Sequence, residues 1–308
     1  MVISTGMRTD IPAFYSKWFL NRLREGFVCV RNPYHPEQVT KYLLSPKVVD
    51  CIAFCTKNPK PMLSQIDELT DYGQFWFVTI TPYGKEVEPN VPPVSDVIES
   101  FKKLSTIIGE NAVSWRYDPV FFGNGFDTDK HIKEFEKIAK ALNGYTNSCV
   151  ISFLDMYKKV ERNASNIYPP DIEEQKILCR SFVKIGRENG ITIKTCCENA
   201  CLQECGVDVS GCQTKTTIEN AIGQNLNVPK KRNQRGSCNC LLGNDIGAYN
   251  SCGHLCKYCY ANADKELVLK NMRLHEPKSP FLIGNYSNGD IITEAKQISY
   301  IDKQLKLF

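Results

Sequence analysis

Nowhere in this 308-residue sequence does an apolar run approach the ~20 residues that a membrane-spanning helix needs. The first ten residues, Met1 to Asp10, lack the apolar core of a secretion signal. Charge of one sign is also scarce. A formal net charge of +4 gives no reason by itself to expect a nucleic-acid or membrane partner. Internal repeats and low-complexity tracts are missing as well. The expectation is a cytoplasmic protein with no membrane partner and with nucleic acid not indicated.

What is present starts with ordinary bulk composition. Hydrophobic residues make up 42% and charged residues 23%, as in a globular protein with a substantial core. The length suits one large α/β domain or two smaller ones. The 15 cysteines are the departure. Cys29, Cys51, Cys55, Cys149 and Cys179 lie in apolar stretches, where cysteine acts as a small buried hydrophobe. The other ten crowd between Cys196 and Cys259. Without a secretion signal, a disulfide framework is disfavoured, and crowded thiols in a reducing compartment point to metal or iron–sulfur ligation.

The first two-thirds of the chain alternates strand-like and helix-like segments. Strands are expected at residues 2–4, 26–31, 48–56, 74–82, 112–120, 148–156 and 191–197. Several are continuous apolar runs rich in β-branched or aromatic residues, as parallel strands covered on both faces require. Helices are expected at residues 12–24, 36–44, 61–69, 94–108, 127–142 and 170–188, several opening on Pro or Asp. Seven such units predict an α/β fold, a complete or partial parallel (β/α) barrel. An open doubly wound sheet is the competing architecture.

In a barrel the site forms where strand C-termini open into loops. Polar residues gather just past the expected strands: Arg8 and Asp10, Lys57 and Asn58, Thr81 and Tyr83, Arg116 and Asp118, Asp155 and Tyr157, Cys196 and Glu198. After Glu198 the alternation fades. The chain then divides into a barrel-like body (residues 1–198), a cysteine-rich iron–sulfur segment closing the barrel mouth (199–266) and a C-terminal cap (267–308). The short basic stretch at residues 230–235 is expected to be a solvated linker.

Within the cysteine-rich segment, Cys252, Cys256 and Cys259 share one loop at C-x3-C-x2-C spacing, with Tyr258 before the last and Tyr260 and Ala261 after it. Three ligands leave one iron of a four-iron cubane free, since the cubane takes four thiolates when fully ligated. Zinc is the competing reading, with His254 or the Cys238/Cys240 pair completing four ligands. The spacing does not supply the two C-x2-C knuckles of a zinc ribbon, so iron–sulfur ranks first. His254 is expected to shape the loop rather than ligate. The seven remaining cysteines, Cys196, Cys197, Cys201, Cys205, Cys212, Cys238 and Cys240, are enough for a second, fully ligated cluster. Cys197, Cys201 and Cys205 would share one side if helical.

The run Cys252, Gly253, His254, Leu255, Cys256, Lys257, Tyr258, Cys259, Tyr260, Ala261 closely resembles the cluster loop of spore photoproduct lyase-like radical S-adenosylmethionine proteins. Thr56, Lys57, Asn58 and Pro59 after a strand are similar to the same group. The whole chain resembles a prokaryotic family catalogued only as a domain of unknown function, with a cysteine-rich C-terminal end. That resemblance is carried by residues 8–12, 54–59, 116–119, Cys238 and Cys240, 245–247 and 304–308. Cys196 after Thr195 and Cys212 after Gly211 also match its pattern. The resemblance therefore favours Cys196, Cys212, Cys238 and Cys240 as the auxiliary ligands, over Cys197, Cys201 and Cys205. In ordinary radical enzymes the three-cysteine loop follows the first barrel strand. Here it comes at residue 252, which calls for a permuted arrangement with the tail folded back over the mouth.

The resemblance implies a [4Fe–4S] cluster, with a second one as auxiliary, and S-adenosylmethionine cleaved to a 5′-deoxyadenosyl radical that acts on an unknown substrate. It also implies a one-electron reductant such as flavodoxin or ferredoxin. Tyr258 would pack beside the adenine, and Lys57, Arg116, Asp118 and Asp155 would bind charged groups of cofactor or substrate. Those four can equally be strand-end salt bridges and caps. The alternative from another class is a non-catalytic iron–sulfur or zinc protein with a structural or electron-transfer role.

Overall fold

The structure, a computed structural model, describes residues 1–164, 166–229 and 239–302. Cys238, the basic stretch at 230–235 and the ending at 304–308 therefore lie outside the described residues. The first half of the chain forms β1 (Val2–Ser4), α1 (Ile11–Phe14), α2 (Ser16–Glu25), β2 (Phe27–Arg31), β3 (Gln38–Leu43), β4 (Cys51–Thr56), α3 (Lys60–Leu63), β5 (Gly73–Thr79), α4 (Val94–Ile108), β6 (Val113–Val120) and β7 (Phe122–Gly123). The second forms α5 (Thr128–Leu142), β8 (Ser148–Phe153), α6 (Lys158–Asn163), β9 (Ile167–Tyr168), α7 (Ile172–Glu188), β10 (Thr192–Thr195), α8 (Lys215–Ile222), β11 (Asn244–Asp245), α9 (Lys265–Arg273) and β12 (Ile291–Glu294).

Seven strands make one parallel sheet in the order β10-β8-β6-β5-β4-β1-β11. From β1 to β10 each strand pairs with its predecessor in the series, and the last strand, β11, flanks the first, with Ile3 opposite Asn244. This is the strand order of a partial barrel rather than of a sheet wound outward from a central switch point. Among the described residues no pairing joins β10 to β11.

Burial on both faces explains the strand compositions. On β4 and β5, Phe54 stacks on Trp76 with ring centroids 3.9 Å apart, and both are fully buried. The outer helices are amphipathic and well capped. Asp171 accepts from the backbone N–H groups of Glu173 and Glu174 while the Glu174 carboxylate reaches back to Asp171 N, a reciprocal cap that starts α7. Phe135 of α5 stacks on Phe182 of α7 at 4.0 Å and on Trp115 of β6 at 4.6 Å, joining the helix layer to the sheet.

Two expected elements take other roles. The segment at 36–44, expected as a helix, is the strand β3, because Val39, Thr40 and Tyr42 favour extended backbone and Val39 alone is deeply buried in it. The segment at 26–31 is a strand, but it leaves the barrel series. It pairs antiparallel with β3 in a separate sheet that β12 extends, order β12-β3-β2. The helix expected at 61–69 is split into α3 and a 3-10 turn at Ile66–Leu69. Residues near 300 bind back to the body through Asp50, which accepts from Tyr300 N at 2.7 Å and Ser299 Oγ at 2.5 Å. Among the described residues no helix is long and apolar enough to cross a membrane.

A buried histidine, His131, braces α5 against the end of β6. His131 of α5 donates from Nε2 to the Phe121 carbonyl at 2.7 Å and accepts at Nδ1 from the Tyr117 hydroxyl at 2.8 Å. That assignment is the neutral tautomer, and burial lowers the pKa from 6.5. Below about pH 6.5 the unfolded chain takes up a proton that the fold refuses, so this contribution to stability is present above that pH and is lost as pH falls. In thermal unfolding at about pH 8 and about pH 5.5, His131→Asn should lose about 1–3 kcal/mol at the higher pH and show a smaller acid-side fall than the parent.

Candidate functional site

The loop between β11 and α9 carries Cys252, Cys256 and Cys259. Its shape is set by local chemistry. Asn250 and Leu255 adopt left-handed backbone, φ 56° and 57°, which bends the chain on either side of Cys252. Gly253 is packed so closely that a Cβ there would lie 2.8 Å from the Phe14 ring. Cys259 N–H donates to the Cys256 carbonyl at 3.1 Å, and Ala261 N–H to Cys259 Sγ at 3.3 Å. Asn262 Nδ2 holds the Cys252 carbonyl at 2.9 Å. Each of the three thiols is partly buried.

Long-range bonds then fix this loop against the C-terminal ends of the strands. His254 is buried, and its Nε2 donates to Asp10 Oδ2 at 2.8 Å. The same carboxylate accepts from Lys57 N at 2.8 Å and, through Oδ1, from Ala13 N at 3.0 Å. Asn90, beyond β5, donates from Nδ2 to the Gly253 carbonyl at 2.7 Å, and Lys257 N–H donates to the Val87 carbonyl at 3.0 Å. Tyr260 closes the contact with a hydroxyl donated to the Met7 carbonyl.

Of the charged residues named from the sequence, Lys57, Arg116, Asp118 and Arg8 are already paired with opposite charges. Lys57 Nζ lies 2.8 Å from Glu88 Oε1 and 3.0 Å from Thr81 Oγ1. Burial pushes its pKa down, but the charges of Glu88 and then Cys256 outweigh that and leave it raised. Tyr258 donates its hydroxyl to Glu88, and its ring packs 6.2 Å from Tyr83 and 6.0 Å from Phe121. Burial, then the Glu88 charge, holds that phenol protonated. Arg116 Nε donates to Asp118 Oδ2 at 2.9 Å, and Ser152 also donates to Asp118. Asp155 is exposed and accepts from the Tyr157 hydroxyl at 3.1 Å. Arg8 pairs with Asp245 of β11 at 2.8 Å.

A second group of thiols comes from the segments that follow β10 and precede β11. Cys212 Sγ lies 3.6 Å from Cys196, just past β10, and 3.5 Å from Cys240, which leads into β11. The Cys212 thiol donates to Cys196, and that bond holds the Cys196 pKa down to about 6 against burial, with help from Arg116. The same bonds raise Cys212. Cys238, the fourth expected ligand, lies outside the described residues. Cys197 is exposed and Cys205 is packed into the main core, so neither joins this group.

The donor chemistry in both places is soft thiol, suited to iron–sulfur or zinc rather than to hard cations. In the loop, burial first, then nearby negative charge (Asp10 for Cys252, Glu88 for Cys256, and Cys259 for both), raises the Cys252 and Cys256 thiols, a repulsion that a bound cation would relieve. Among the described residues, no three His, Cys, Asp or Glu side chains stand ready-made at metal-holding distances. Orphaned polar atoms cluster at this end: Thr5 and Thr9 Oγ1, Asn262 Oδ1 and Lys159 Nζ are buried with no partner. Buried polar atoms rarely lack partners, and each such case calls for an explanation. Glu88 and Lys159 are absent from the residues picked out by sequence. Nothing in their polar neighbourhoods, residues 85–89 and 157–162, marks them before folding brings them to the loop.

A family model described as "Domain of unknown function (DUF1848)" matches residues 2–261. No curated protein matches the chain. A solved structure from Bacteroides thetaiotaomicron, provisionally assigned as an alpha-L-fucosidase, aligns at 12% identity with a TM-score of 0.29, covering 45% of this chain and 42% of that one. The chain thus spans less than half the length of that structure.

The Lys57–Glu88 pair gives a stability test of the site's electrostatics. Glu88→Leu should cost about 3–5 kcal/mol in urea unfolding, because it strands a buried ammonium. Adding Lys57→Met should restore most of that loss, since the two apolar replacements leave no unpaired charge.

Proposed function

The chain belongs to the DUF1848 family, and from that premise we propose an iron–sulfur enzyme of the radical S-adenosylmethionine type. The supporting observation is the three-thiol loop of Cys252, Cys256 and Cys259, tied by His254 to Asp10, with the unpartnered Asn262 Oδ1 on the same loop. Three thiolates suit a cubane with one iron left open. The loop's likeness to the cluster loop of spore photoproduct lyase-like proteins is part of this proposal.

In this reading Cys252, Cys256 and Cys259 would hold a [4Fe–4S] cluster which, when reduced, supplies the electron that cleaves S-adenosylmethionine to methionine and a 5′-deoxyadenosyl radical. The chain's own groups do the rest. Asp10 and His254 fix the loop's orientation. Tyr258, its hydroxyl committed to Glu88, offers a ring edge as packing surface. Lys57 and Arg116 are neutralised by Glu88 and Asp118, so their role is to stabilise the walls of the site. Thr5, Thr9 and Asn262 keep polar atoms free for a ligand. The reductant would be a flavodoxin- or ferredoxin-like protein.

Cys196, Cys212 and Cys240, with Cys238, would form the auxiliary metal site. A specific observation favours zinc as a second reading for that site. Cys212 Sγ stands 3.6 Å from Cys196 and 3.5 Å from Cys240, near the edge of about 3.8 Å of a tetrahedral zinc with ~2.3 Å bonds, although the three thiols are not a ready-made ligand set among the described residues. Thiolates on separate irons of a cubane stand further apart. On this reading the group closes the sheet structurally and takes no part in electron transfer.

The deciding assay is anaerobic. Protein reconstituted with iron and sulfide, then given dithionite and S-adenosylmethionine, should release 5′-deoxyadenosine, and Cys256→Ala should abolish it. Metal analysis should find about 4 irons per cubane. Iron near ~4 together with one zinc assigns zinc to the second site, and near ~8 assigns two cubanes. Zinc alone, with no cofactor cleavage under any reductant, sinks the proposal.

A further inference from the structure

Cations at the mouth differ in one respect. Lys57, Arg116 and Arg8 each face a carboxylate at 2.9 Å or less. Lys159 does not. Its Nζ is buried and has no hydrogen-bond partner in the structure. A buried ammonium without an acceptor costs several kcal/mol, so it either gives up its proton or meets a partner that the fold itself does not supply.

Position supports a ligand as that partner. Lys159 sits on α6, which follows the C-terminal end of β8, the side of a parallel barrel from which site residues come. The helix is anchored rather than loose. Its Val160 is fully buried in a cluster with Tyr83 and Phe121 against which Tyr258 packs, and its Arg162 Nη2 donates to the Ala263 carbonyl at 3.3 Å. Lys159 is thereby held beside the cysteine loop. The charged groups acting on it are the Cys259 thiol, Arg162 and Asp264, and burial is the strongest influence, lowering its pKa. Asn262 Oδ1, also buried and unpartnered, lies on the same loop three residues from Cys259.

We infer that Lys159 is an anion-binding residue of this site and takes the carboxylate or phosphate of a small molecule seated between α6 and the loop of Cys252, Cys256 and Cys259. The inference rests on the location of the proposed site and extends it. Lys57 and Arg116, the cations that the sequence favours for this task, are already neutralised, whereas Lys159 leaves its buried Nζ open to a ligand. Two sources can supply the anion. One is the amino-acid carboxylate of S-adenosylmethionine, and the other is an acidic group on the substrate.

Calorimetric binding to the reconstituted, unreduced protein separates these sources without turnover. The probes are S-adenosylmethionine, its decarboxylated analogue and inorganic phosphate. If the anion is the cofactor's, the parent binds S-adenosylmethionine more tightly than the decarboxylated analogue. Lys159→Met then erases that preference with a loss of about 10- to 100-fold, and Lys159→Arg retains it. If the anion belongs to the substrate, both adenosyl probes bind Lys159→Met as they bind the parent, and phosphate binding is lost instead. Unchanged binding of all three probes in Lys159→Met, with its circular dichroism intact, overturns the inference. That outcome leaves the radical chemistry untouched if 5′-deoxyadenosine is still formed. Conversely, a parent that never cleaves the cofactor but loses phosphate binding in Lys159→Met keeps the anion site and discards the reaction.

Discussion

Asp10 is the group on which the arrangement of the site depends. One carboxylate, reached directly after the first strand, accepts three bonds from three parts of the chain: Ala13 at the start of α1, Lys57 after β4, and His254 inside the cysteine loop. These are short hydrogen bonds in a buried setting, where polar contacts are strong and losing a partner is costly. The loop has little regular structure of its own between Asp245 and Lys265. Its placement therefore comes from side chains, with Asp10 as the fixed point and the bonds from Asn90, Lys257 and Tyr260 as further ties.

Around that anchor the structure distributes charge in matched pairs. Glu88 serves Lys57, Thr81 and Tyr258 at once, and Asp118 serves Arg116 and Ser152. Buried networks of this kind hold geometry only when every member is satisfied. Unsatisfied atoms therefore stand out, and they gather at the cysteine loop and the strand ends rather than spreading through the core; Arg22 Nε is the exception. The pattern is a frame of matched charges with a few polar positions left over.

Much of this was legible in the sequence. The strands β4, β5, β6 and β8 announce themselves as apolar runs, and α4 and α5 as amphipathic segments with clear boundaries. The polar residues past those strands were also visible, because strand ends are where loops begin. What failed did so for physical reasons. Residues 36–44 open on a proline and carry a helix-like spread of polar groups, but their β-branched content and pairing with β2 made them a strand. The strand β11 is two residues long, too short for any periodicity, and exists only because β1 offers it an edge. Glu88 and Lys159 were invisible because their meaning is tertiary. A glutamate in a charged loop and a lysine in a basic helix carry no sign of the partner they will meet or lack.

The pairing of β1 with β11 sets a timetable. Ile3 waits for Asn244, about 240 residues further along the chain, and ribosomes add only about 5–20 residues per second. The first strand therefore spends tens of seconds beside β4 with its other edge bare, long enough for the intervening strands and helices to settle in order of synthesis. The cysteine loop emerges after all of them. Its thiols reach a scaffold whose docking points, Asp10 foremost, are already in place, so the loop can dock as soon as it is made.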